Sequence, residues 1–248
     1  MSQRMLVWDV PTRVFHWLLA ASFVGAFLTA ESERYRDIHV LLGYTLLGLI
    51  AFRLVWGFVG SRYAQFRSFL FKPREIAAYA TSMFKGKPAH YVGHNPAGSL
   101  SVFLLLALGI AVTISGYVIF QDIGGDALAE LHEMAAYFML TVVGLHLAGV
   151  LVSSLLHREN LVRSMITGSQ PARPNGHARF PHPNPLPEGE GANESLRESQ
   201  SFEGIRRTHA WLGVIMVVVV VAFWFGYPAI GMQPDNNVAQ AAQQHDND

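Results

Sequence analysis

Imidazole is the side chain whose placement in this sequence invites chemistry. His132 and His146 stand fourteen positions apart within one apolar stretch, residues 128–156. Fourteen residues advance an α-helix by about 21 Å and nearly four whole turns. Both rings therefore leave the same side of the helix, one near each face of a hydrocarbon layer about 30 Å thick. His16 and His39 lie near the starts of two earlier apolar stretches. Ionisable side chains at membrane depth are costly, and each is a functional hypothesis by default. Neutral imidazole suits iron. Two imidazoles fill both axial positions of a haem iron, and a six-coordinate site favours electron transfer over oxygen binding. Four histidines at two depths form two axial pairs, the layout of two stacked haems.

The elements that must carry these rings are apolar and long. Of the 248 residues, 51% are hydrophobic and 15% charged, and five stretches approach the ~20 residues that span a bilayer. They lie at about 14–30, 38–59, 97–120, 128–156 and 210–227. No amphipathic alternation breaks them, so a single soluble core is the weaker reading. The expected fold class is all-α: an integral membrane four-helix bundle holding two haems, plus a fifth, C-terminal transmembrane helix. Lys and Arg total 18, as do Asp and Glu, so no electrostatic footprint for nucleic acid exists. There is no cysteine, which excludes disulfides, Cys-ligated iron–sulfur clusters and covalent c-type haem attachment within the chain. Any haem is held non-covalently, through His or Met. The first stretch lacks an Ala-x-Ala cleavage site and carries His16, so it reads as a retained helix rather than a cleaved signal peptide.

Charge placement orients the helices. Arg62, Arg67, Lys72, Arg74, Lys85 and Lys87 fill the connector after the second stretch, and seven arginines lie between the fourth and fifth. The connector after the third has none and carries Asp122, Asp126 and Glu130; Arg34 and Arg36 are offset by Glu31, Glu33 and Asp37. The positive-inside rule puts the N-terminus in the cytoplasm and the C-terminus in the periplasm of a multi-pass inner-membrane protein. Depth matching then pairs His39 with His132 outside and His16 with His146 inside. The third helix has no histidine and needs none. Each imidazole keeps a second N–H that wants a helix carbonyl or a Ser or Thr hydroxyl.

Other residues have two readings. Gly43, Gly48, Gly109, Gly116, Gly144 and Gly149 would let a macrocycle approach the backbone, or merely serve helix packing. Arg13 and Arg53 on the cytoplasmic side, and Arg34 or Arg36 outside, suit haem propionates, or are topogenic charge. His90 and His94 have the spacing of a metal pair on a helix, but Gly93, Asn95 and Pro96 break any helix there. A surface loop or part of a quinone pocket is the better reading, with His94 and Arg53 as quinone-site candidates. His157 and His209 lie at helix edges. Residues 63–87 alternate aromatic and basic side chains, as a stretch lying on the cytoplasmic membrane surface would. Asn95 and Pro96 mark a helix start, and Gly124-Gly125 a turn.

Three domains follow: 1–168, the four-helix haem domain; 169–204, a Pro/Gly-rich disordered linker; and 205–248, an accessory transmembrane helix outside the haem bundle with a polar periplasmic tail. The linker core, Pro181 through Gly191, resembles translated repetitive palindromic DNA, which leaves His177 and His182 without chemistry.

Over residues 5–168 the chain resembles the bacterial cytochrome b561 family, including the b-type cytochrome subunits of nickel–iron hydrogenases and the formate dehydrogenase gamma subunits. The resemblance rests on Val7-Trp8-Asp9-Val10-Pro11-Thr12-Arg13-Val14-Phe15-His16-Trp17, on His39 with Gly43-Tyr44, and on Phe52-Arg53-Leu54-Val55-Trp56-Gly57. It continues through Gly93-His94-Asn95-Pro96-Ala97-Gly98, the His132/His146 pair and Met165-Ile166-Thr167-Gly168. It implies two b haems on His16, His39, His132 and His146, and electron exchange between a membrane quinone pool and a partner redox protein. A typical member stops near Gly168, so the linker, fifth helix and tail are additions.

The expected function is transmembrane electron transfer by a di-haem b-type cytochrome. Its cofactors are two haem b, with quinone as exchangeable substrate. Its partners are membrane lipid, quinone, and a periplasmic c-type cytochrome or a catalytic redox subunit. Three alternatives stay open: an electron-port anchor of a hydrogenase or dehydrogenase complex, a self-contained quinone-linked oxidoreductase, and a haem-free transporter or structural membrane protein. The last would show broken helices or inverted repeats, and the sequence has neither.

Overall fold

The computed structural model describes residues 4–85, 91–171, 204–205 and 207–231. Five of its helices are long and apolar enough to cross a membrane. The chain opens on a short strand, β1 (Arg4–Leu6), and enters α1 (Val10–Thr29). Asp9 caps α1: its Oδ1 accepts from the Thr12 amide at 2.8 Å, and Pro11 occupies the first turn, where no amide hydrogen is needed. A single 3₁₀ turn leads into α2 (Arg36–Val59). The aromatic and basic stretch that follows includes a 12-residue helix, α3 (Pro73–Phe84), started by Pro73 and by Glu75, whose side chain accepts from the Lys72 amide at 2.8 Å.

Asn95 starts α4 (Pro96–Phe120) as its type suggests, accepting from the Gly98 amide at 2.7 Å. Gly124 and Gly125, at φ 105° and 60°, make the turn into the 33-residue α5 (Gly125–His157). A short helix, α6 (Leu161–Thr167), ends at Gly168 with φ 82°. Ser169–Pro171, which sequence reading gives to the linker, instead form β2. It pairs antiparallel with β1 in the register Arg4↔Pro171, Met5↔Gln170, Leu6↔Ser169. The last helix is α7 (Ala210–Gly231). Linker residues 172–203, with His177 and His182, and the tail from 232 lie outside the described residues, as do His90 and Arg206.

Three clusters hold the elements together. Phe23, Ala26, Leu42, Leu46 and Met139 form the mid-bundle core of α1, α2 and α5, with Leu105 and Leu108 of α4 against it. Met5, Val7, Trp8 and Tyr63 make a second core under the β ribbon. Phe15, Leu49 and Met216 join α1, α2 and α7. Most other large apolar side chains point outward, Phe225 at 82% exposure among them, as lipid-facing side chains do. The ribbon, α3 and α6 gather at one end of the bundle, the ribbon face. The α1–α2 and α4–α5 turns lie at the opposite, far face.

Candidate functional site

The far-face pair is built from four helices. His39, near the start of α2, and His132, in the second turn of α5, bring their ring centres to 6.3 Å with planes inclined by 73°. Two imidazole–metal bonds of about 2 Å, with about 1 Å more from each nitrogen to its ring centre, span about 6 Å. That separation would suit two imidazoles sharing one iron.

The outer nitrogen of each ring is fixed by a different helix. His39 Nδ1 lies 2.8 Å from the Ala26 carbonyl of α1, so it carries the proton and donates. His132 Nδ1 lies 2.9 Å from Ser115 Oγ of α4. Ser115 spends its own hydrogen on its helix, 2.8 Å from the Ala111 carbonyl and 3.1 Å from that of Val112, so its lone pair accepts from the imidazole. In both rings Nε2 is left with its lone pair, the tautomer a metal needs. A carbonyl and a hydroxyl are the partner types expected from sequence; Ser115 itself is not distinguishable there from the other serines and threonines of the third helix.

A cavity of about 390 Å³ surrounds the pair. Phe23, Phe27, Leu46, Val112 and Tyr137 give it apolar walls, and Gly43 and Gly116 thin them. A Cβ at Gly43 would meet nothing within 4 Å, whereas one at Gly116 would sit 3.0 Å from His132 Cε1. The lining includes Glu31 and Glu133 but neither Arg34 nor Arg36. Both arginines, which the sequence leaves between a propionate partner and topogenic charge, are exposed, and Arg34 lies over the Tyr35 ring at 5.6 Å.

The ribbon-face pair is His16 of α1 and His146 of α5, half-buried and within electrostatic range of each other. His16 Nδ1 is buried with no hydrogen-bond partner. Beside them stands His94, whose ring is wedged 4.7 Å from Trp8 and 4.3 Å from Phe69. His94 is thus no surface-loop residue. Burial, then Arg53, His146 and His16, hold its imidazole down at a pKa of about 3, so it stays neutral at physiological pH. Among the described residues no group of three or more His, Cys, Asp or Glu could hold a bare metal ion.

Arg53 and Arg13 part company. Arg53 is 3% exposed, its guanidinium lies 4.8 Å from the Phe66 ring centre, and its Nη1 is buried without a partner. Asp9, wholly buried and within electrostatic range of Arg53, also accepts from Trp56 Nε1 at 3.0 Å. Sequence reading gave Asp9 no role. It ties the start of α1, which carries His16, to the end of α2. Arg13 instead donates to the Ile166 carbonyl at 2.6 Å and pins α6 to α1.

At the far face the residues fit a haem, with two imidazoles whose Nδ1 atoms are engaged and a cavity with apolar, backbone-thin walls; at the ribbon face His16 and His146 stand near Arg53, whose buried Nη1 is free to meet an anionic edge. His39 and His132 could hold one, and His16 and His146 the other.

Comparison with known proteins points the same way. The family model of prokaryotic cytochrome b561 matches residues 7–168. The chain is 22% identical over 210 residues to the probable Ni/Fe-hydrogenase B-type cytochrome subunit of Azotobacter vinelandii, covering 65% of this chain and 86% of the relative. To the same-named protein of Rhizobium leguminosarum bv. viciae it is 23% identical over 217 residues, covering 68% and 89%. The probable Ni/Fe-hydrogenase 1 B-type cytochrome subunit of Escherichia coli K12 is 22% identical over 147 residues, covering 47% and 60%. No solved structure matches the chain. By the extent of the family match the chain belongs to the prokaryotic cytochrome b561 family, the b-type cytochromes that carry electrons through a membrane.

Proposed function

We propose that this protein binds two b haems, one between His39 and His132 and one between His16 and His146. Through them it passes electrons between quinone at the ribbon face and a redox partner at the far face. The observation that carries the reading is the His39/His132 pair, 6.3 Å apart with both Nδ1 atoms engaged. Each haem, when bound, supplies a one-electron iron couple. The chain supplies the rest. Ala26 and Ser115 aim the outer imidazoles, and the apolar lining excludes water. Arg53 meets an anionic edge at the inner site, with its Nη1 free to donate. Arg13, held by α6, positions the helix that carries His16. His94, neutral and beside Arg53, suits a quinone carbonyl as hydrogen-bond partner.

Charge supports the orientation. The ribbon face carries Arg4, Arg62, Arg67, Lys72, Arg74, Arg158 and Arg163, so it lies in the cytoplasm of an inner-membrane protein, and α7 ends in the periplasm. The names of the relatives favour a second reading, in which the chain is the electron port of a larger complex whose catalytic subunit docks on it. In the first form the partner is a c-type cytochrome; in the second, a catalytic redox subunit. Haem extraction and quantitation on the purified chain tests the shared core of both. Two b haems per chain are expected, and a chain holding one or none contradicts the proposal. A catalytic subunit that co-purifies from the native membrane separates the second reading from the first.

A further inference from the structure

The family match ends at Gly168, and α7 lies beyond it. Its sequence suggests a passive anchor, but its packing does not. Gly213 lets α7 close on α1: a Cβ there would sit 2.6 Å from Val10 Cγ1. Met216 is buried with Phe15 and Leu49. The segment before α7 is tied down by the Ile205 amide to the Leu6 carbonyl at 2.8 Å and the Val10 amide to the Thr208 carbonyl at 3.0 Å.

Further along, Trp224 Nε1 donates to Thr45 Oγ1 of α2 at 2.9 Å. Thr45 is 4% exposed and gives its own hydrogen to the Leu41 carbonyl at 2.9 Å. An indole N–H at membrane depth must find such an acceptor, so this bond fixes the register of α7 on α2. One turn on, Tyr227 packs on Tyr44 at 6.0 Å between ring centres. Tyr44 in turn contacts Tyr117 at 6.2 Å and Phe120 at 6.3 Å. Tyr44, Tyr117 and Phe120 line the cavity that holds His39 and His132.

We propose that α7 is an outer buttress of the far-face haem site: through Trp224 and Tyr227 it positions Thr45 and Tyr44 behind the aromatic rim and so keeps that rim closed to water. This rests on the haem reading above. Haem potential depends on burial and solvent exposure. Water admitted at the rim stabilises the oxidised, more positive iron, so opening the rim lowers the potential of that haem alone. Trp224 and Tyr227 are positioning residues, since neither belongs to the cavity lining.

The test is a redox titration of the purified full chain carrying W224F with Y227L, each haem being assigned by loss of its band in H39A or H16A. A fall in the far-face haem potential, or loss of that haem alone, with the ribbon-face haem unmoved, supports the proposal, provided that F225A on the outward side of α7 moves neither. Two haems at wild-type potentials, or both shifted alike, overturn it. A variant that loses both haems is decided by a second experiment. The chain has no cysteine, so L49C with M216C, treated with an added mild oxidant, gives a single thiol pair where α2 and α7 pack together and leaves Gly213 in place. A disulfide between them, formed within one chain in native membranes, supports docking of α7 as described; its absence overturns the proposal. A wild type without haem would instead sink the haem reading itself.

Discussion

Ser115 illustrates what a single residue does here. Its hydroxyl decides which nitrogen of His132 keeps a lone pair. S115A would leave that Nδ1–H without its acceptor. Loss of such a supporting bond costs about 10- to 100-fold in affinity at metal sites. Haem retention at the far-face site should fall by that order during dilution, with the ribbon-face haem unaffected; equal loss from both sites would contradict the role. Gly43 is the complementary case. Its missing side chain opens on the cavity, so G43L should exclude the far-face haem while the helices still assemble, read as one haem per chain in place of two. The candidate histidines were legible in the sequence because ionisable groups are rare at membrane depth, and the fourteen residues from His132 to His146 make nearly four helical turns. Ser115 was not, because the third helix offers several serines and threonines and only a neighbouring helix selects one.

At the scale of elements, helix starts carry more of the fold than composition suggests. Asp9 both caps α1 and accepts from Trp56. D9A should cost about 0.5–2 kcal/mol for the cap alone, and more because a buried indole N–H loses its acceptor. Thermal denaturation of the purified chain would register it. D9N, which keeps a capping oxygen, should retain the larger part of the stability, and a D9N chain as unstable as D9A would contradict the capping role. The five long helices were legible to within a few residues because their apolar runs are continuous. The ribbon was not, since three-residue strands carry no period. Helix α3 was read only as a surface stretch, its apolar side chains being mixed with aromatic and basic ones. The seat of α7 was also hidden, because a uniformly apolar helix shows no preferred face. Gly213, Met216 and Trp224 choose it only when α1 and α2 are present.

For the whole molecule, charge and depth make one claim together. Under the proposed orientation, the basic ribbon face and the acidic far face would put the two histidine pairs near opposite sides of the bilayer. A periplasm-active reporter such as alkaline phosphatase, fused to the C-terminus, should be active, and the same reporter in the α2–α3 connector should be silent; the reverse pattern would overturn the orientation. The number of spanning helices was legible because continuous apolar runs are a property of the sequence itself.

The pairing of ligands is tested most directly by a reduced-minus-oxidised visible spectrum, resolved by redox titration, on H16A, H39A, H132A and H146A. H39A and H132A should each abolish the same haem component, and H16A and H146A the other. Loss of different components within either pair, or spectra unchanged by all four substitutions, would contradict it.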